Sequence, residues 1–213
     1  MRVGKEFEIS NLRLIRAVLG MALLAAMLST GCSGDGQSDE PAQGPNARES
    51  PSGTPVLFRF EQFTGAPLVN GGEITLRSLE GKVVLLDLFG TWCSPCRRTI
   101  PLIVSLHQRF SGKDLEVVGL AYERTSDEAQ AREKVKAFSE EFDIPYTLAL
   151  GPDQAWQELA VKAKAEGVVP TLLLIDRQGI VRYMFQGLKP GEEAVLAEQI
   201  EKLLAEPAVS VPR

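Results

Sequence analysis

The chain has little cysteine and almost no histidine. Its 213 residues include three cysteines, Cys32, Cys93 and Cys96, and one histidine, His107. A lone imidazole excludes any site that needs two. A zinc centre takes four ligands, usually from two cysteine pairs, and only one close pair is present here. Positive charge is also in deficit. Lys and Arg total 23 against 28 Asp and Glu, a net charge of −5, which argues against nucleic acid or an anionic membrane surface as partner. No internal repeat is visible. The apolar run from Ala17 to Leu28 is twelve residues long, short of the roughly 20 that cross a bilayer.

What the chain does have is Trp92-Cys93-Ser94-Pro95-Cys96, directly after the apolar run Val83 to Phe89. A buried strand feeding a helix is the setting in which a Cys-x-x-Cys pair does redox chemistry. As a staple the pair would be weak. A bridge enclosing four residues adds roughly 2 kcal/mol in the chain-entropy account, against roughly 4.7 for a hundred-residue loop. The composition, 44% hydrophobic and 24% charged, suits one compact domain with appendages.

The appendages lie mostly at the N-terminus. Arg13 and Arg16, the Ala17–Leu28 run and Ser29-Thr30-Gly31 before Cys32 read as an export signal over residues 1–31. The ending resembles a bacterial lipoprotein signal, which would make Cys32 the lipidated residue and tie the domain to a bacterial membrane. The family usually has Leu three residues before the cysteine, where this chain has Ser29. Ordinary cleavage and an uncleaved anchor are the alternatives. Residues 32–55 carry almost no large apolar side chain and read as a disordered tether, with a reach of roughly 25 Å. Export would place the Cys93–Cys96 pair outside the cytoplasm, facing a periplasm-like, oxidising space.

The folded domain is expected over 56–206, with a short tail at 207–213. Val56–Phe60 alternates as a strand does, and Glu73–Leu76 follows the break at Gly71-Gly72, giving an N-terminal β-hairpin. Val83–Phe89 reads as a central strand, Ser94–Phe110 as a helix carrying Pro101, and Leu115–Ala121 as the next strand. Ser126 is the expected cap of a helix with Val135, Phe138 and Phe142 inward. A short strand at Pro145–Leu150 precedes a helix at Asp153–Glu166, stopped by Gly167. Thr171–Asp176 and Ile180–Phe185 flank a turn, and Glu192–Leu204 forms the last helix. The order implies an α/β domain with a mixed sheet flanked by helices.

The segment Gly81 to Pro101 and the segment Gly167-Val168-Val169-Pro170-Thr171 to Gly179 together resemble the thioredoxin fold. The inserted helix and strand between Ala121 and Asp153 resemble its exported TlpA/ResA-like branch. The resemblance implies a thiol-disulfide oxidoreductase whose only redox group is the Cys93–Cys96 disulfide, with no cofactor and no metal. Cys93, at the first turn of the helix, would be the nucleophile, its thiolate favoured by unpaired N–H groups. Cys96 would resolve the mixed disulfide. Asp87, in an apolar strand, matches the buried acid of thioredoxin and would accept the Cys96 proton at a raised pKa; many TlpA-like proteins carry Asn there. Glu123 resembles an acid near the dithiol, with an alignment loose by one residue. Trp92, Val169 and a cis Pro170 would line the substrate site, Val169 pairing with an extended chain. Implied partners are exported protein disulfides, cytochrome c apoproteins among them, and a membrane thiol donor of the DsbD/CcdA kind. With no histidine between the cysteines, the pair leans toward reduction.

Two other classes fit the sequence less well. A thiol peroxidase needs a Thr-x-x-Cys-like pocket, but Thr91 stands only two residues before Cys93, and no distant resolving cysteine exists. Copper carriers of related fold resemble Cys-x-x-x-Cys with a later histidine; here the spacing is one shorter and no histidine follows His107.

Overall fold

A computed structural model describes residues 53–207. The export segment, Cys32, nearly all of the tether and residues 208–213 lie outside that range.

Thirteen elements follow one another in the described residues. They are β1 (Thr54–Arg59), β2 (Gly65–Pro67), β3 (Glu73–Thr75), a 3-10 turn (Leu76–Leu79), β4 (Val83–Phe89), α1 (Ser94–Arg109), β5 (Leu115–Ala121), α2 (Glu128–Glu141), β6 (Thr147–Leu150), α3 (Asp153–Ala163), β7 (Thr171–Ile175), β8 (Ile180–Gln186) and α4 (Glu192–Ala205). Six strands form one sheet in the order β1-β8-β7-β4-β5-β6. β4 pairs parallel with β5 and antiparallel with β7, so the sheet is mixed. All seven residues of β4 are buried, which is why its sequence is apolar at every position but Asp87 rather than an alternation.

Parallel neighbours need a crossover, and α1 and α2 provide those of β4–β5 and β5–β6. Alternation along β4 divides the core in two. Leu85 and Phe89 pack with Cys96, Ile100 and Ile103 of α1, with Phe138 of α2 and with Leu196 and Ile200 of α4. Val84, Leu86 and Leu88 face the other way, against Leu159 of α3 and the segment bearing Phe60 and Phe63. By the same alternation Asp87 points to the α1 side.

The N-terminal hairpin is built from different residues than the sequence reading implies. β3 pairs with β2, whose three residues Gly65-Ala66-Pro67 carry no strand pattern. The Val56–Phe60 segment starts earlier, at Thr54, and joins the edge of the main sheet antiparallel to β8. Its aromatics continue into an edge-to-face chain, Phe58 on Phe60 and Phe60 on Phe63, so burial rather than hairpin closure places it. The cap of α2 is Asp127, not Ser126: its carboxylate accepts from the N–H groups of Ala129 and Gln130. α3 ends at Ala163 instead of Glu166, because Lys164 turns left-handed at φ 54° and donates its N–H to Leu159. α1 runs through Pro101.

Candidate active site

Cys93 is the residue where β4's exit loop becomes α1. It is the N-cap of α1, with extended backbone (φ −90°, ψ 106°), and its Sγ accepts the Cys96 N–H at 3.1 Å. Pro95 sits in the first turn, where a missing N–H costs nothing. The two cysteines are joined in a disulfide, and both are buried, Cys93 at 4% exposure and Cys96 at 1%. Once reduced, a thiolate at Cys93 would face the unpaired N–H groups of a helix start, which favour negative charge.

Opposite the pair, the Val169–Pro170 peptide is cis. The Val169 carbonyl oxygen lies 3.5 Å from Cys93 Sγ. Thr171 Oγ1 donates to the Val168 carbonyl and the Gly187 N–H to that of Pro170, which hold this loop beside β8. Trp92 and Val168 are each 41% exposed, so two apolar side chains flank a disulfide that is itself covered. A groove of about 450 Å³ runs from Pro95 and Pro170 past Leu102 to Leu188, with Arg98 and Glu193 at its sides.

Asp87 is buried at 1% exposure, and its Oδ1 has no hydrogen-bond partner. Loss of hydration pushes its carboxyl up to about 8, close to neutral pH. Tyr146, on the same side of the sheet, also has an unpartnered buried hydroxyl, and its phenol is pushed well up by burial and then by the Asp87 charge. Nothing in the Pro145–Leu150 pattern marked Tyr146, because an aromatic in a strand reads as core.

Glu123 is bonded to the active-site loop. Its Oε1 accepts the Thr91 N–H at 2.9 Å and its Oε2 the Thr91 hydroxyl at 2.8 Å. It therefore braces the turn that carries Trp92 and Cys93. Beside it, Trp92 Nε1–H donates to the Tyr122 carbonyl. Gly90 is needed below the indole, since a Cβ there would come within 2.6 Å of its nitrogen. Arg124 lies over the Trp92 ring at 3.7 Å. The sequence reading missed Thr91 as an anchor and Arg124 altogether; a polar residue just past a strand carries no periodic signal. Among the described residues, no group of three or more His, Cys, Asp or Glu side chains could hold a metal ion.

The fold and this site have counterparts in known proteins. Residues 59–184 match the AhpC/TSA family. The chain is 31% identical over 137 residues to the thiol-disulfide oxidoreductase ResA of Bacillus thuringiensis subsp. konkukian, covering 63% of this chain and 71% of that protein. It is 26% identical over 125 residues to the thioredoxin-like protein YneN of Bacillus subtilis, covering 59% and 68%. A crystal structure from Chlorobium tepidum, assigned as the thiol:disulfide interchange protein DsbE, superposes with a TM-score of 0.59 at 25% identity over 70% of this chain and 98% of that one. These similarities agree with a thioredoxin fold that presents a Cys-x-x-Cys disulfide at a helix start. The chain belongs to the AhpC/TSA family and, within it, to the ResA-like thiol-disulfide oxidoreductases.

Proposed function

We propose that the chain works outside the cytoplasm and reduces disulfides of exported proteins through Cys93 and Cys96. The observation that carries this reading is the pairing of an N-cap cysteine with a buried carboxyl of pKa about 8 on the α1 side of β4. In the reduced enzyme the Cys93 thiolate attacks one sulfur of a target disulfide. That S–S bond breaks, and the leaving thiolate takes a proton. Cys96 gives its proton to Asp87 and attacks Cys93 Sγ. The mixed disulfide breaks, the second target thiolate leaves and is protonated, and the Cys93–Cys96 disulfide forms. Two electrons and two protons have passed to the target. A membrane dithiol donor of the DsbD/CcdA kind would restore the pair.

Trp92, Val168 and the groove past Pro170 and Leu188 support an extended polypeptide as substrate, with the Val169 main chain beside the attacking sulfur. Glu123 acts as a positioning residue through Thr91 rather than as an acid on the dithiol. The signal-like residues 1–31 and Cys32 support export and lipid attachment to a bacterial membrane. The resemblance to exported relatives supports cytochrome c apoproteins as one target class. The peroxidase alternative has less support, because the Thr91 hydroxyl donates to Glu123 and no third cysteine lies in the domain.

The test is capture in living cells. Cys96→Ala leaves Cys93 unable to release its target, so mixed disulfides should accumulate with exported, cysteine-bearing proteins. Recovery of none, with rapid peroxide consumption by Cys93 instead, would favour the peroxidase.

A further inference from the structure

The Trp92 indole is fixed by its bond to the Tyr122 carbonyl and stands one residue before Cys93. The Arg124 guanidinium stacks on its ring at 3.7 Å. A guanidinium that uses its face for stacking keeps its N–H donors free at its edge, where a carboxylate binds in bidentate fashion. Among the described residues, neither Arg124 nor Arg98 forms an ion pair. Arg98, on the groove flank, makes only a 3.4 Å bond to the Ser94 carbonyl of its own helix.

Two carboxylates nearby, Glu123 and Glu193, are engaged within the fold. Glu123 gives both oxygens to Thr91, and Glu193 accepts the Gly191 N–H. Arg97, by contrast with its neighbour, is paired with Glu141 and stacked on Phe142. Two guanidiniums without an ion-pair partner therefore lie in this region, Arg124 on the ring beside Cys93 and Arg98 in the groove at Pro95 and Pro170, in a chain whose net charge is −5.

We infer that Arg124, held on the Trp92 indole, binds a carboxylate beside the target cysteine, so that the site selects disulfides set in acidic polypeptide segments. Arg98 adds attraction on the other flank. The inference rests on the thiol-disulfide exchange reading above and narrows its substrate class.

Single-turnover reduction by the reduced full chain tests it, with three peptide disulfides that differ only in the residue after the reactive cysteine: Glu, Gln or Lys. At low ionic strength the Glu peptide should react about three to ten times faster than the Gln peptide, and the Lys peptide more slowly than both. The preference should shrink at about 0.5 M salt. Arg124→Met, whose thioether can still lie on an indole, should bring the Glu-to-Gln ratio to about one, and Arg124→Lys should retain part of it. Arg77→Met makes the same charge change beside the start of β4, away from the disulfide, and should keep the ratio. Equal rates on all three peptides, or a preference that survives Arg124→Met, overturns the inference and leaves the exchange reading standing. A reduced chain that reduces none of them overturns both.

Discussion

Asp87 is 1% exposed and its Oδ1 has no hydrogen-bond partner, and the proposed proton transfer draws on the cost of that burial. A hydrated carboxyl would be ionised well below neutral pH and could not hold a proton from Cys96. Burial raises it to about 8, so near neutral pH it can both take and release one. Asp87→Asn should therefore slow release of a target captured on Cys93 by about tenfold to a hundredfold at pH 7. The gap should narrow at alkaline pH, where hydroxide can take the thiol proton in place of the carboxylate. Stopped-flow measurement of release from a preformed mixed disulfide checks this, and an unchanged release rate would remove Asp87 from the proton path. Asp87 was legible in the sequence because one acid interrupts an otherwise apolar strand. Glu123 was legible as a candidate but not in its role, since only the folded chain shows that its carboxylate meets Thr91, 32 residues away.

At the scale of elements, a buried carboxylate ties the N-terminal segment to the domain. Glu158, on α3, accepts the N–H groups of Glu61, Gln62 and Phe63 at 2.8, 2.6 and 2.5 Å, and Lys162 pairs with it one turn on. Those three N–H groups lie just past β1, where no strand or helix can satisfy them. Glu158→Ala should leave them unpaired and destabilise the domain by about 3 kcal/mol, read as a lower urea midpoint. A loss below about 0.5 kcal/mol would mean that water replaces the carboxylate. Arg177 plays the corresponding part for α4, giving its N–H donors to the carbonyls of Leu203, Leu204 and Glu206. β4 and α1 were readable because their signals are local: a seven-residue strand apolar but for Asp87, then Cys and Pro at a helix start. β2 and the Glu158 anchor were not, because three residues make no period and a contact spanning 97 residues leaves none.

For the whole molecule, these two carboxyls act on stability with opposite sign. Unfolded, Asp87 ionises near its ordinary 3.8; folded, it holds its proton to about 8. Between those values the folded chain binds a proton that the unfolded chain lacks. Stability of the oxidised protein should therefore fall as pH rises, by up to about 4 kcal/mol from pH 4 to pH 7, and level off above 8. Burial would raise Glu158, but the N–H groups of Glu61, Phe63 and Gln62, with Lys162, outweigh it and hold the carboxyl below its usual value. Its contribution is present above the ordinary Glu value and is lost as pH falls through the lowered one. Urea unfolding across pH 3–8 should show both limbs, and Asp87→Asn should flatten the neutral limb while leaving the acid limb. Parallel curves for the two proteins would count against the burial account.

From β4 onward the order of elements, the central strand, the redox pair and its helix could be assigned from residues alone, and the segment around Pro170 with the help of its family resemblance. Each depends on neighbours close in the chain: hydrophobic period, caps, turn residues and short spacings. What only the tertiary structure decided is which distant polar groups meet. It sets the Val169 carbonyl against Cys93, turns Glu123 to Thr91 and lays Arg124 on Trp92. Such contacts join loops at the ends of different strands. Their geometry follows from sheet order and register, which no local pattern of residues encodes.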